Sequence, residues 1–194
     1  MRERNLSRPE ALEEYLVYRR RLRELLDTVQ IARDIKTRKY KPRDFLGRGP
    51  KRFSETIADA IIGLFASLMD PQNHALNVFD VWLFLFPERK DKITRTWRRV
   101  KPYVQLIRRY RNDVVCHANK NVHRYIETWR RFNENLAEVH GAMQAVIGLA
   151  AELRRDEPAV LPNFREEVDP ILRRMFPDLG NEQIRGLKDY FLGG

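Results

Sequence analysis

The sequence predicts an all-α protein, and three observations indicate this class. Long stretches repeat apolar residues at intervals of three and four, which gathers them on one helical face opposite a basic one. Segments rich in proline and glycine separate these stretches, most clearly at residues 36–52. Gly-rich phosphate loops, internal repeats and low-complexity tracts do not occur in the sequence. We therefore expect an antiparallel bundle of long helices, with short additional helices at the C-terminus.

The first helix is predicted over residues 7–35. Ser7 is a suitable N-cap, and Glu10 lies three residues later, as in a capping box. The apolar residues that recur near a 3.6 period, and that we expect to face the core, are Leu12, Leu16, Leu22, Leu25, Leu26, Val29 and Ile31. Residues 36–52 are predicted to form a loop.

Two further helices and one long element follow. Residues 53–69 have an apolar helical face, and residues 75–86 are apolar nearly all round. The second stretch predicts a short buried helix, with an extended strand as the alternative. Residues 88–115 show helical spacing again, and Pro102 predicts a kink or break within them.

The strongest periodicity predicts one long helix over residues 123–155, after a break at residues 117–122. Its apolar side is predicted to contain Ile126, Trp129, Phe132, Leu136, Val139, Met143, Val146 and Leu149. Trp129, like Trp82 and Trp97, is assigned to the core. Residues 164–176 and 181–192 predict two short helices. The domain prediction is a bundle at residues 1–155, followed by an extension at residues 156–194 that packs on the bundle or on a dimer.

The composition indicates a polyanion as partner. The chain has 194 residues, and 37 lysines and arginines against 27 acidic residues give a formal charge of +10. Nucleic acid is the leading candidate. A single cysteine excludes an internal disulfide framework and suits the cytoplasm. The N-terminus resembles no secretory signal, and the apolar runs are shorter than the roughly 20 residues that span a bilayer, so we expect a soluble protein.

One short segment has residue types that suit phosphodiester chemistry. In RRYRNDVVCHANKN, residues 108–121, Arg111 and Asn112 are followed by His117 after a short apolar run. On a regular helix Arg111 and His117 would lie about 240° apart. If both face one site, the backbone must bend between them, and Asn112, Asp113, Val114 and Val115 are poor helix formers.

The spacing of Arg111, Asn112 and His117 resembles the R-(four to six residues)-H signature of HEPN domains, in which a polar residue follows the arginine. The resemblance is closest to the abortive-infection branch of the AbiU type, and it covers residues from about 10 to 155. It implies an up-and-down helical bundle and a metal-independent ribonuclease of the toxin or abortive-infection kind. It also implies a homodimer, in which two copies of the motif form one composite site.

Cleavage of RNA without a metal needs a base for the 2′-hydroxyl proton, an acid for the leaving 5′-oxygen and a cation for the phosphorane. His117 titrates near neutrality and is the candidate acid or base, and Arg111 is the candidate phosphate clamp. Asn112 would hold His117 or the phosphate, as the resemblance implies. Since one histidine does not readily perform both proton transfers, a dimer would supply a second His117. Neither a cofactor nor a metal is implied.

An antitoxin protein is a further partner that the resemblance suggests. HEPN toxins paired with nucleotidyltransferase antitoxins carry a tyrosine two residues after the histidine, and this chain has Asn119 there. Inactivation by modification of that tyrosine is therefore not expected for this chain.

Two basic segments are candidates for RNA binding. One leads into the motif and consists of Arg95, Arg98, Arg99, Lys101, Arg108 and Arg109. The other lies in the predicted loop, where Lys39, Lys41 and Arg43 are interleaved with aromatic residues. Either segment is alternatively a solvated basic surface.

Simpler interpretations apply to the motif as well. Arg111 is alternatively part of the solvated basic face, Asn112 a helix-terminating residue and His117 a helix cap. Cys116 is expected to be a small core residue, because no second base or zinc spacing accompanies it. The alternative functions are a non-catalytic HEPN-like module that binds RNA or a protein, and a DNA-binding regulator, for which no helix-turn-helix is evident.

Overall fold

The computed structural model describes residues 7–36, 50–69, 77–116 and 122–192. All regular elements within these residues are helical, which confirms the all-α class. The α-helices are α1 (Arg8–Lys36), α2 (Pro50–Met69), α3 (Val78–Leu85), α4 (Lys90–Tyr110), α5 (Val122–Glu134), α6 (Leu136–Val160), α7 (Phe164–Met175) and α8 (Asn181–Leu192). A 3-10 turn, Pro87–Arg89, precedes α4, and a π-helix, Arg111–Cys116, follows it.

The predicted start of the first helix is confirmed. At the start of α1 the Glu10 carboxylate accepts hydrogen bonds from the Ser7 hydroxyl at 2.6 Å and the Ser7 N–H at 3.0 Å. These bonds lower the pKa of Glu10 below its ordinary value. The described part of the stretch at residues 75–86 forms a helix, Val78–Leu85, rather than a strand. It begins after Asn77, whose side-chain oxygen accepts from the N–H groups of Phe79 and Asp80 at 2.9 and 3.1 Å.

The prediction of one helix over residues 123–155 was wrong, because the chain turns at Asn135 between α5 and α6. The Asn135 side-chain amide donates to the carbonyl of Arg131 at 2.9 Å, and its backbone N–H donates to the carbonyl of Phe132 at 3.2 Å. Such local bonds compete with the regular helical pattern and interrupt it. The break predicted as one possibility at Pro102 is absent, since α4 is continuous through that residue.

Several apolar side chains assigned to the core are exposed instead. Leu26 and Ile31 of α1 are 43% and 49% exposed, and Leu136 is 49% exposed. On α5, Ile126 and Trp129 are 53% and 49% exposed. The buried residues of α5 are Thr128 and Phe132, which lie on a different face of the helix. Trp82, by contrast, is fully buried, as predicted.

The chain divides into two compact units. The first unit comprises residues 1–20, 71–99 and 144–194, and the second comprises residues 21–70 and 100–143. Three helices, α1, α4 and α6, therefore contribute a segment to each unit.

Aromatic packing forms the core of the first unit. The Tyr15 ring lies edge-on to Phe86 and Phe164, with centroids 5.8 and 5.4 Å apart. Phe79 contacts the rings of Trp82 and Trp97 in a second cluster. The C-terminal helices α7 and α8 belong to this unit, and α7 is joined to α1 by two ion pairs, Arg8 with Glu167 and Arg174 with Glu13.

The second unit has a core built from α2, α4, α5 and the π-helix. The buried side chains include Phe65, Leu68, Ile107, Tyr110, Val114 and Phe132. Arg21 of α1 donates to the carbonyl of Ser67 in α2 at 3.0 Å. Across the described residues of both units, none of the helices combines the length and apolar character needed to cross a membrane.

Candidate active site

The Arg111-Asn112 pair lies where α4 changes into a π-helix. In a π-helix each N–H bonds the carbonyl five residues back, so the turn is wider than in an α-helix. Such segments are rare and frequently occur at functional sites. The sequence RNDVVC favours the change, because asparagine, aspartate and valine are all weak α-helix formers.

Buried residues on either side of the pair anchor this segment. Tyr110, 8% exposed, packs its ring on Phe132 of α5 with centroids 4.0 Å apart. The Tyr110 hydroxyl donates to Asp59 of α2 at 3.2 Å. Val114, 9% exposed, is the next apolar anchor. The segment is therefore fixed to two helices of the second unit.

Asp113 adds a polar anchor to α5. Its Oδ2 accepts from Arg124 Nε at 2.9 Å and from Thr128 Oγ1 at 3.1 Å. The Asp113 side chain is only 12% exposed, and Thr128 is 7% exposed. Because a mostly buried carboxylate needs such partners, this contact fixes the orientation of the π-helix.

Arg111 and Asn112 are the two motif residues that the structure describes. Asn112 is exposed and Arg111 is partly exposed. Arg111 Nε donates to Asn112 Oδ1 at 3.0 Å, so the amide holds the neighbouring guanidinium. His117 lies outside the described residues, as do Lys39, Lys41 and Arg43. A common pocket for Arg111 and His117 therefore stays a prediction.

A cleft of about 600 Å³ opens beside this segment in the second unit. Its walls come from α4, the π-helix and α5, and consist of Pro102, Gln105, Leu106, Arg109, Asp113, Arg124, Glu127, Thr128 and Arg131. All of these residues are polar or charged except Pro102 and Leu106. The cleft thus suits a polar ligand.

The charges that line the cleft do not cancel. Arg124 pairs with Asp113 at 2.9 Å, and Arg131 pairs with Glu127 at 3.0 Å. Arg109 is exposed and makes no ion pair or hydrogen bond with another described residue. Three arginines against two carboxylates leave a net charge of +1, centred on Arg109.

Among the basic residues predicted on α4, Arg109 is the one that lines this cleft. Arg95, Arg98 and Arg99 are exposed but belong to the first unit. Lys101 is exposed and Arg108 is partly buried, and both belong to the second unit.

Sequence reasoning missed the contribution of α5. Asp113, Arg124, Thr128 and Arg131 were given no role, although they form much of the cleft wall. The sequence does indicate that these α5 residues lie on one helical face, because residues 124, 128 and 131 follow the i, i+4, i+7 spacing. Their meeting with Asp113 depends on tertiary packing, which no local spacing reveals.

The described residues contain no cluster of three or more histidine, cysteine, aspartate or glutamate side chains arranged to hold a metal ion. The side chain of Cys116 lies outside the described part of the chain. Comparison of the sequence and fold with protein-family models, curated proteins and solved structures found no match.

Proposed function

We propose that this protein is a metal-independent endoribonuclease of the HEPN kind, acting as a toxin or in abortive infection. The observation that carries the proposal is that Arg111 is partly exposed and Asn112 exposed on an otherwise anchored π-helix, next to a polar cleft of net positive charge. A fixed guanidinium that solvent can reach is suited to bind a phosphodiester through two parallel hydrogen bonds.

The proposed reaction is a transesterification. One His117 takes the proton of the 2′-hydroxyl, and the 2′-oxygen attacks the adjacent phosphorus. The bond to the 5′-oxygen breaks, and a second acid group protonates that oxygen. The products are a 2′,3′-cyclic phosphate and a 5′-hydroxyl. Arg111 stabilises the negative charge of the phosphorane, and Asn112 orients Arg111 through the 3.0 Å hydrogen bond.

A second copy of the chain would supply the second histidine. An exposed apolar stripe on α5 supports this homodimer, since Val122, Ile126 and Trp129 are 67%, 53% and 49% exposed at i, i+4 and i+7. The stripe begins soon after the motif segment. An isologous contact through it would join the α5 helices of two copies across one twofold axis.

The dimer has its own test. Trp129→Glu introduces a charge into the stripe and is expected to convert the protein from dimer to monomer, as measured by analytical ultracentrifugation. Phe84→Glu is the matched control, because Phe84 is an aromatic of similar exposure (41%) in the first unit. A wild-type protein that is monomeric at all concentrations would contradict the composite site.

The substrate in this proposal is cytoplasmic RNA, and we expect an antitoxin protein to restrain the enzyme in the cell. The activity is tested with labelled single-stranded RNA in EDTA. His117→Ala and Arg111→Gln are each expected to slow cleavage at least 100-fold, the lower range for loss of a general acid–base group and of an electrostatic stabiliser, respectively. Arg165→Gln, which changes an exposed arginine of α7 in the first unit, should cleave at the wild-type rate.

Two outcomes would count against the enzyme. Cleavage that survives His117→Ala unchanged would place the chemistry elsewhere. Tight binding with RNA left intact under every condition would favour the non-catalytic module that binds RNA through the same surface.

A further inference from the structure

We infer that the cleft between α4 and α5 is a substrate subsite that binds a further phosphodiester of the RNA strand through Arg109. This inference rests on the proposed ribonuclease function, and it assigns a second contact to the strand whose cut bond lies at Arg111. The reasons are the size of the cleft, its charge and its connection to the motif.

The size and lining of the cleft fit a segment of single-stranded RNA. A volume of about 600 Å³ lies within the range of roughly 300–1,000 Å³ that small-ligand sites occupy. Most such sites are apolar, whereas Gln105, Arg109 and Thr128 give this one polar walls. Polar walls favour a ligand that brings its own hydrogen-bonding groups, as a sugar-phosphate backbone does.

The charge of the cleft fits one phosphodiester. The carboxylates of Asp113 and Glu127 already pair with Arg124 and Arg131. Among the described residues that line the cleft, Arg109 therefore supplies the uncompensated charge, and its planar fork matches two phosphate oxygens. A phosphodiester has one negative charge, so it neutralises the cleft, whereas a free di- or triphosphate would leave excess negative charge beside Asp113 and Glu127.

Asp113 connects the cleft to the motif. It lies in the cleft wall and follows Arg111 by two residues, on the same anchored π-helix. Arg109 and Asp113 are four residues apart and line the cleft together. Arg111, two residues from each of them, does not line the cleft, so a strand that contacts both Arg109 and Arg111 passes around this continuous piece of helix.

The test separates binding from cleavage by using a 2′-O-methyl oligoribonucleotide, which cannot undergo transesterification. Fluorescence anisotropy gives its Kd over a series of salt concentrations. Arg109→Gln is expected to raise the Kd about 5- to 20-fold, because a charge-assisted hydrogen bond is lost. It should also lower the slope of log Kd against log salt by about 0.7, the value for one single-strand phosphate.

A second variant tests the cleft without removing a side-chain contact. Gln105→Glu places a carboxylate on the exposed face of α4 and is expected to weaken binding by a similar factor. Arg165→Gln is the matched control and should change neither the Kd nor the salt slope by more than the experimental error. In the cleavage assay Arg109→Gln should raise KM while kcat stays within about twofold.

The inference is overturned if Arg109→Gln and Gln105→Glu bind the oligonucleotide as tightly as wild type, with the same salt slope. Failure of the proposed function looks different. In that case His117→Ala leaves the cleavage assay unchanged, or no cleavage occurs, while the binding measurement still decides whether RNA occupies the cleft.

Discussion

The two units of the chain use their charged residues in different ways. In the first unit, Arg19, Glu157 and Tyr15 form a partly buried network. Glu157 accepts from the Tyr15 hydroxyl at 2.7 Å and from Arg19 at 2.5 Å, and Arg19 also donates to the carbonyl of Leu192 at 3.1 Å. These bonds join α1, α6 and α8, so the polar groups hold the unit together.

The second unit leaves comparable groups accessible. Its one described polar network at the motif, Asp113 with Arg124 and Thr128, anchors the π-helix, while Arg109 lines an open cleft without a partner among the described residues. We propose that the cleft of the second unit is organised for binding, while the Glu157 network of the first unit contributes to stability. Accessible charges and exposed apolar residues contribute little to stability, so they are the groups that a ligand or partner can use.

The largest expected effect compares two tryptophans. Trp82→Ala in the first unit removes a fully buried ring and is expected to lower the free energy of unfolding by about 3–5 kcal/mol. Trp129→Ala in the second unit removes a half-exposed ring and should cost less than about 1 kcal/mol at protein concentrations where the chain is monomeric. Urea denaturation measures the free energy of unfolding of both variants. Equal decreases would show that Trp129 is as important for stability as Trp82, against the proposed difference between the units.

The next effect concerns the network of the first unit. Glu157→Ala leaves Arg19 and Tyr15 without their shared partner, and we expect the free energy of unfolding to fall by about 3 kcal/mol. Glu134→Ala is the control, since the Glu134–Arg130 pair is exposed and should contribute less than about 1 kcal/mol. If the two variants unfold at the same urea concentration, the network does not hold the unit together.

A smaller effect is expected at the anchor of the motif. Asp113→Ala removes two hydrogen bonds from a mostly buried position and should cost about 1–3 kcal/mol. RNA cleavage should fall as well, because the π-helix loses its polar tie to α5. Asp113→Asn keeps an acceptor oxygen and should restore part of both losses. A fully active Asp113→Ala protein would show that the anchor does not position Arg111.

The smallest expected effect is a pH dependence of the stability of the first unit. Burial, and then the charge of Glu157, raise the pKa of Tyr15 well above its ordinary value. The unfolded chain releases this proton near pH 10 while the folded chain keeps it, so the contribution to stability is complete below pH 10 and is lost above it. Tyr15→Phe should therefore flatten the fall of the urea midpoint between pH 9 and 11. If the urea midpoint of Tyr15→Phe falls with pH as steeply as that of wild type, Tyr15 is not the cause of the fall.

Periodicity was sufficient to predict most of the helices, because each amphipathic face is encoded locally. It did not predict the turn at Asn135, since the side-chain bond to Arg131 interrupts the helix without changing the apolar spacing. It also assigned Ile126 and Trp129 to the core, because a helix with two apolar faces gives no local indication of which face is buried.

The candidate site was predictable only in part. The residue types and spacing of Arg111, Asn112 and His117 drew attention to the segment, and the change to a π-helix begins at its first residue. The cleft was not predictable, because Asp113 meets Arg124 and Thr128 only when α5 packs against the π-helix.

The chemistry of the RNA ends tests the central proposal most directly. Purified protein is incubated in EDTA with a single-stranded RNA of known sequence, and the masses of the fragments are determined by mass spectrometry. Attack by the 2′-oxygen predicts 5′-fragments that end in a 2′,3′-cyclic phosphate and 3′-fragments that begin with a 5′-hydroxyl, with neither formed by Arg111→Gln. Fragments with a 3′-hydroxyl and a 5′-phosphate, or the same cyclic products from Arg111→Gln at the wild-type rate, would contradict it.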